Sequence, residues 1–249
     1  MTVEGAGDWD GATYDRVAHP QATWGTAVLD RLNLAGDERV LDAGCGSGRV
    51  TEQLLDRFPR ISVVALDAAP SMLVEARSRL ARFGDRVTYV EADLTRPLPV
   101  DPPVDAIVST AAFHWVLDHD VLFAHLAAVL HPGGRLVAQC GGAGNIASVQ
   151  SALTDLGHEP LPCLFATPAD TIARLRAAGF NNVDAWLHEE YTEFESAESL
   201  KTFLTTVVLR THLSNRPETE HGPFLKQVID LLPTAALDYV RLNLTATRA

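Results

Sequence analysis

Val40-Leu41-Asp42-Ala43-Gly44-Cys45-Gly46-Ser47-Gly48 is the stretch that decides the fold. An apolar strand end runs into glycines at every second position. Glycine has no Cβ, so a ligand can lie almost on the backbone of such a loop. The next apolar run, Ile61 to Leu66, ends on Asp67, 19 residues after Gly48. In dinucleotide folds an acidic residue about 20 residues beyond the loop holds ribose hydroxyls. Two features depart from that pattern. The spacing is Gly-x-Gly-x-Gly, not Gly-x-Gly-x-x-Gly, and Asp42 sits inside the turn. A carboxylate there would repel a pyrophosphate but suits a ligand with a cationic end.

Outward from this loop, strand and helix signals alternate, which argues a parallel sheet with helices on both faces. Residues 20–33 read as a helix, with Trp24, Val28, Leu29 and Leu32 on one face, and residues 38–42 as strand one. Ser47 to Phe58 is the next helix, 61–66 strand two, and Ser71 to Phe83 a helix with Gly84 at its C-cap. Residues 87–91 make strand three and Asp105 to Ser109 strand four. A helix covers Val121 to Leu130, and Pro132-Gly133 stops it. Strand five is Gly134 to Gly141. The glycines that follow, Gly141-Gly142-Ala143-Gly144, read equally as a flexible loop or a ligand contact. Thr167-Pro168-Ala169-Asp170 has the signature of a capped helix start. That helix ends near Gly179, and Val183 to His188 is strand six. Residues 191–236 then interrupt the alternation with two helical segments, about 197–210 and 222–232, before strand seven at Leu237 to Thr247. An insertion of about 45 residues in an α/β sheet is usually functional. We read it as a lid over a substrate pocket, with a dimerisation arm as the alternative.

Composition narrows the function classes. At 249 residues the chain suffices for a sizeable core. Its net charge of −12 argues against nucleic acid, whose binding is driven by Lys and Arg against phosphates. No run approaches the ~20 apolar residues of a membrane span. Met1 to Asp10 is acidic and Gly-rich, unlike an export signal, and the three cysteines form no Cys-x-x-Cys. The expectation is a cytoplasmic protein without a membrane or nucleic-acid partner. No metal is expected either. Asp118-His119-Asp120 reads as an acidic helix start instead of a ligand set.

The first motif resembles that of the class I S-adenosylmethionine-dependent methyltransferases. The resemblance continues through Ala65-Leu66-Asp67, Glu91-Ala92-Asp93-Leu94 and Leu130-His131-Pro132-Gly133-Gly134, spanning about residues 35–145. It implies a doubly wound, seven-stranded Rossmann-like α/β sheet of order 3-2-1-4-5-7-6 with strand seven antiparallel. The expected organisation is an N-terminal helical cap (1–35), a cofactor-binding core (36–190), a helical lid (191–236) and the last strand of the core (237–249). It also implies S-adenosyl-L-methionine as cofactor and S-adenosyl-L-homocysteine as product. The cofactor's chemistry then distributes roles. The loop Gly44, Cys45, Gly46 and Gly48 approaches its amino-acid end, with carbonyls near Gly44 and Ser109 for the ammonium. Asp67 accepts from the ribose diol. Ala92, Asp93 and Leu94 meet the adenine, and Ala68 and Met72 cover its face. Asp42 is expected to shape the loop through backbone amides. Tyr14, in an aromatic-rich opening segment, joins this list through the resemblance alone.

The segment from Thr110 to His119 looks like its counterpart in the trans-aconitate methyltransferase-like small-molecule group, which puts Phe113, His114 and Trp115 beside the acceptor. His114 is the candidate catalytic residue, as a proton acceptor or a hydrogen-bond partner, or else a structural histidine. Arg210 and His212 in the insertion are candidate receivers of an acidic substrate, against the plainer reading of a basic helix end. The resulting expectation is methyl transfer to a carboxylate or hydroxyl oxygen of a small molecule. Carbon or nitrogen transfer and a non-methylating cofactor-binding scaffold stay open. Oligomeric state is undetermined.

Overall fold

The computed structural model describes residues 19–249, and residues 19–23 through their backbone alone. Tyr14 and most of the expected N-terminal cap lie outside the described residues. Helix α1 (His19–Leu32) leads into β1 (Arg39–Ala43), α2 (Arg49–Arg57), β2 (Ser62–Asp67), α3 (Pro70–Leu80) and β3 (Val87–Glu91). Then come β4 (Val104–Thr110), α4 (His119–Ala128), β5 (Leu130–Gly141), α5 (Ala147–Asp155), α6 (Pro168–Ala177) and β6 (Phe180–Glu193). Helices α7 (Ala197–Phe203), α8 (Arg210–Ser214) and α9 (Glu218–Leu231) precede β7 (Ala236–Arg248).

The seven strands form one sheet of order β3-β2-β1-β4-β5-β7-β6, with β7 antiparallel to both neighbours. This is the expected topology. Alternation along the strands sends Leu41, Val64, Leu66 and Ile107 to one face, against Leu122, Phe123 and Leu126 of α4. Val40, Val63, Ala65 and Val108 go to the other, against α1, α2 and α3. β1 is closed in on both faces, as a central parallel strand should be.

Several boundaries differ from the reading of the sequence, for identifiable reasons. β6 begins before Val183 and runs past His188 because it pairs with β7 from Phe180↔Arg248 to Glu193↔Ala236. Its outer residues are polar and carry no alternating apolar signal. β5 starts at Leu130, opposite Val104, with an irregular register before Arg135. The turn signal at Pro132-Gly133 therefore falls inside a strand. Helix α3 stops at Leu80, and a 3-10 segment from Ala81 to Arg86 carries Gly84 at φ 54°, so Gly84 turns that segment and does not cap an α-helix. Gly141 and Gly142 are packing glycines. A Cβ would meet the Phe165 ring at 2.7 Å in the first and Leu187 at 2.6 Å in the second.

Helix α5 was not expected. It packs with Trp24, Tyr239 and the insertion helices in a third apolar cluster that includes Val149, Leu153, Phe203, Leu204 and Phe224. The first insertion helix is also not continuous. A π-helical turn at Leu204–Val208 separates α7 from α8, and such turns are frequent at functional sites. Among the described residues, no helix is long and apolar enough to cross a membrane.

Candidate active site

The turn after β1 gives its three glycines different tasks. A Cβ on Gly44 would lie 2.4 Å from the Ala112 methyl, and one on Gly48 would lie 3.0 Å from Leu80 Cδ1. Both therefore serve close packing. Gly46, at φ 54°, has no atom of the described residues within 4 Å of where a Cβ would stand. It is the open floor of the loop, where a ligand can touch backbone. Cys45 is buried, and burial first, with Asp42 and Asp67 next, pushes its thiol well above the usual range. It is no nucleophile.

Asp67 ties this loop to the second strand. Gly46 N–H donates to Oδ2 at 2.8 Å and Ala69 N–H donates to Oδ1 at 2.9 Å. Burial raises its pKa, and the backbone donors oppose that rise. Each oxygen keeps a second lone pair for a diol. Beside it Ala68 is exposed and Met72 is buried, yet Met72 joins none of the three apolar clusters. Asp93 is exposed, and Thr95 N–H donates to its Oδ1 at 2.8 Å. Ala92 is half-buried, and the Leu94 side chain anchors the segment in the core. Ser109 commits its hydroxyl to the Ala43 carbonyl at 2.6 Å.

Asp42 corrects an expectation. It is 1% exposed, and its Oδ2 accepts from the Thr51 hydroxyl at 2.6 Å, not from the loop amides. Its Oδ1 has no hydrogen-bond partner among the described residues. Burial is the main cause lifting its pKa to about 7, and the Asp67 charge adds to it.

Beyond the end of β4 lies a cleft of about 530 Å³, counting its open mouth. Ala111, His114 and Trp115 form one side, and Asn145, Phe165, Tyr239 and Arg241 reach it from β7 and the loops around α5. Trp24 of α1 and Val207 and Val208 of the π-turn close it. The His114 ring packs against Trp115 (centroids 5.0 Å) and Phe165 (5.9 Å). Gly141 N–H donates to its Nδ1 at 3.4 Å, so the neutral ring carries its proton on Nε2. Burial, followed by the nearby Arg241 and His119, holds its pKa down at about 3. Arg241 is 2% exposed, and its guanidinium carbon sits 4.1 Å from the Trp24 ring centre. The Asn145 Oδ1 accepts from Val240 N–H, which leaves its amide NH₂ as a donor. Among the described residues lining the cleft there is no carboxylate.

Three expected acceptor residues are placed elsewhere. Phe113 is 1% exposed, edge-on to Phe123, in the core. His212 shares a 2.8 Å hydrogen bond with the Glu159 carbonyl and stacks on Phe224, so its ring is part of the insertion's own packing. Arg210, two residues before it, is not among the cleft-lining residues. Asp118 caps α4 through Val121 N–H at 3.0 Å, as the helix-start reading expects. The residues missed are Trp24, Asn145, Tyr239 and Arg241. A signal existed for Arg241: a long cation inside the apolar run Leu237 to Leu244 of a strand that the topology makes interior.

Comparison with known proteins agrees with this geometry. A family profile described as "Methyltransferase domain" matches residues 40–134. The trans-aconitate 2-methyltransferase of Methylobacterium nodulans is 36% identical over 180 residues, covering 72% of this chain and 67% of that protein. The Escherichia coli protein of that name is 31% identical over 234 residues, 90% and 88% of the two chains. A solved putative methyltransferase from Bacillus halodurans superposes with TM-score 0.64 at 22% identity, over 91% and 99% of the chains. Phosphoethanolamine N-methyltransferase 2 of Haemonchus contortus, solved with S-adenosyl-L-methionine, gives 0.63 at 18% over 96% and 56%. The open floor at Gly46 and the acceptor oxygens of Asp67 and Asp42 beside it fit that cationic cofactor. The chain thus belongs to the class I S-adenosylmethionine-dependent methyltransferases, within the trans-aconitate methyltransferase-like group, and is an enzyme that uses this cofactor.

Proposed function

We propose that the acceptor is a carboxylate oxygen of a small organic acid, with trans-aconitate, named for the relatives, as the first candidate. The observation that carries this reading is the chemistry of the cleft. Its buried cation is Arg241, and His114 and Asn145 add neutral donors. Such a lining complements an anion and gives a neutral alcohol no base. His114 does not fill that role. Its Nδ1 is engaged by Gly141, and its low pKa makes it a poor proton acceptor.

When bound, S-adenosylmethionine supplies a methyl group on a cationic sulfur that is already a good leaving group. On this reading the transferred methyl would go to an oxygen of an acceptor that is already ionised, so the chain has no proton to remove. The chain's share is alignment and exclusion of water. Arg241 would hold the acid, His114 Nε2–H would orient the reacting carboxylate, and Trp115 would wall the path. The loop at Gly46 together with Asp67 and Asp93 would fix the cofactor. Ala68 and Met72 would flank the adenine. The insertion would act as the upper wall, which the presence of Val207 and Val208 in the cleft supports.

The test is transfer of labelled methyl to trans-aconitate, citrate, benzoate and a set of alcohols and amines. Label released as methanol by mild alkali marks a methyl ester and supports the proposal. Alkali-stable product means oxygen-ether, nitrogen or carbon transfer. Cofactor binding without transfer to any acceptor favours a scaffold.

A further inference from the structure

The reading of an acidic acceptor leaves one group in the cleft unused. Trp24, on α1, is 4% exposed, and its indole Nε1–H has no hydrogen-bond partner among the described residues. Buried donors without partners are few in native proteins, because leaving one unpaired carries the full desolvation cost. Packing alone does not call for an indole here, since a phenylalanine presents an aromatic face without that cost. The same ring lies under the Arg241 guanidinium at 4.1 Å and meets Tyr239 edge-on, with centroids 5.1 Å apart at 71°. A guanidinium stacked on an aromatic face has its plane fixed.

We infer that Trp24 is a substrate-recognition residue. Its N–H donates to an oxygen of the bound acid's carboxylate, whose other contacts come from Arg241, and its ring sets the plane of that guanidinium. This rests on the proposed acidic acceptor and extends recognition to a helix ahead of the matched methyltransferase domain at 40–134. The carboxylate is thereby gripped from two elements far apart in sequence, α1 and β7. The partner is an acid with one oxygen pair presented edge-on to the guanidinium.

Trp24→Phe keeps the aromatic face and removes the donor. Calorimetric titration of trans-aconitate into protein saturated with S-adenosylhomocysteine is expected to show binding weaker by about tenfold or more. Affinity for S-adenosylhomocysteine should stay within about twofold. The thermal midpoint of the unliganded variant should be equal to or above that of the wild type, since an unpaired buried donor has been removed. A merely structural tryptophan would give the reverse: a lower midpoint and unchanged acid affinity. Equal acid binding by Trp24→Phe and wild type overturns the inference while leaving the acid acceptor standing. If the wild type binds and methylates no acid, both fall. A second readout does not depend on that variant folding. In ¹⁵N-tryptophan-labelled wild type, the indole signal remaining after Trp9→Phe, Trp115→Phe and Trp186→Phe assignments is Trp24, and it should move downfield when trans-aconitate is added. No movement at saturating acid also overturns the inference.

Discussion

Asp42 makes the unliganded protein less stable as pH rises, and the size of the effect follows from its surroundings. The carboxyl is 1% exposed, one oxygen takes the Thr51 hydroxyl, and the other has no partner among the described residues. Burial therefore favours the neutral form and lifts the pKa from 3.8 to about 7. An acid whose pKa is raised on folding contributes full stability below its unfolded value and loses it as pH climbs to the folded value. At about 1.4 kcal/mol per pH unit, the whole interval is worth about 4 kcal/mol, of which about 2.5 kcal/mol falls between pH 5 and pH 8. Against a domain stability of about 5–15 kcal/mol that is readily measured. Urea unfolding of wild type and Asp42→Asn at both pH values isolates this group, because other titrations are shared. The wild type should lose about 2.5 kcal/mol more than the variant on going from pH 5 to pH 8. Parallel behaviour within about 0.5 kcal/mol would refute the assignment of a buried, under-paired carboxyl.

Other outcomes follow from the same geometry. Asp67→Ala should weaken cofactor binding by about 1–3 kcal/mol in calorimetry, and Asp67→Asn by less, since an amide oxygen can still take one of the two backbone N–H groups. Arg241→Met should raise KM for the acid by about a hundredfold with cofactor affinity unchanged; a matching loss of cofactor binding would place Arg241 in a purely structural role. His114→Gln, which keeps an N–H donor, should retain turnover within about threefold, whereas His114→Ala should lose about tenfold or more. Equal losses in both would restore His114 as a base, and so would a kcat step near pH 6–7 in the wild type that Gln abolishes.

The cofactor half of the site was legible because backbone demands leave local marks. A strand end, a glycine that must keep φ 54° over open space, and an acid at the tip of the next strand are all written within a few residues of one another. The acceptor half was not legible in that way. His114 and Trp115 were found because they follow β4 directly. Trp24, Asn145 and Arg241 meet them only through the pairing of β7 with β5 and the packing of α1 and α5. His212 and Arg210 looked equally plausible in the chain, since sequence marks them only as cations near a helix end. The Glu159 carbonyl that captures His212 lies 53 residues away. Asp42 was located but misread. The loop amides were the nearest donors in sequence, and Thr51, on the first turns of α2, was nearer in space.

This split has a consequence for how far resemblance reaches. The matched methyltransferase domain at 40–134 contains Asp42, the glycine loop, Asp67 and Asp93, and of the cleft only the Ala111–Trp115 edge. Trp24, Asn145, Phe165, Val207, Val208, Tyr239 and Arg241 all lie outside it. The reaction asks little of those outer residues beyond alignment and a dry, complementary surface, since the leaving group arrives already activated. On the inference drawn above, a change at Trp24 would leave the glycine loop untouched yet release the stacked Arg241 guanidinium. Identities of 31% and 36% to trans-aconitate 2-methyltransferases fix fold and cofactor, whereas on the proposed reading the acceptor is selected where α1, α5, the π-turn and β7 meet over His114.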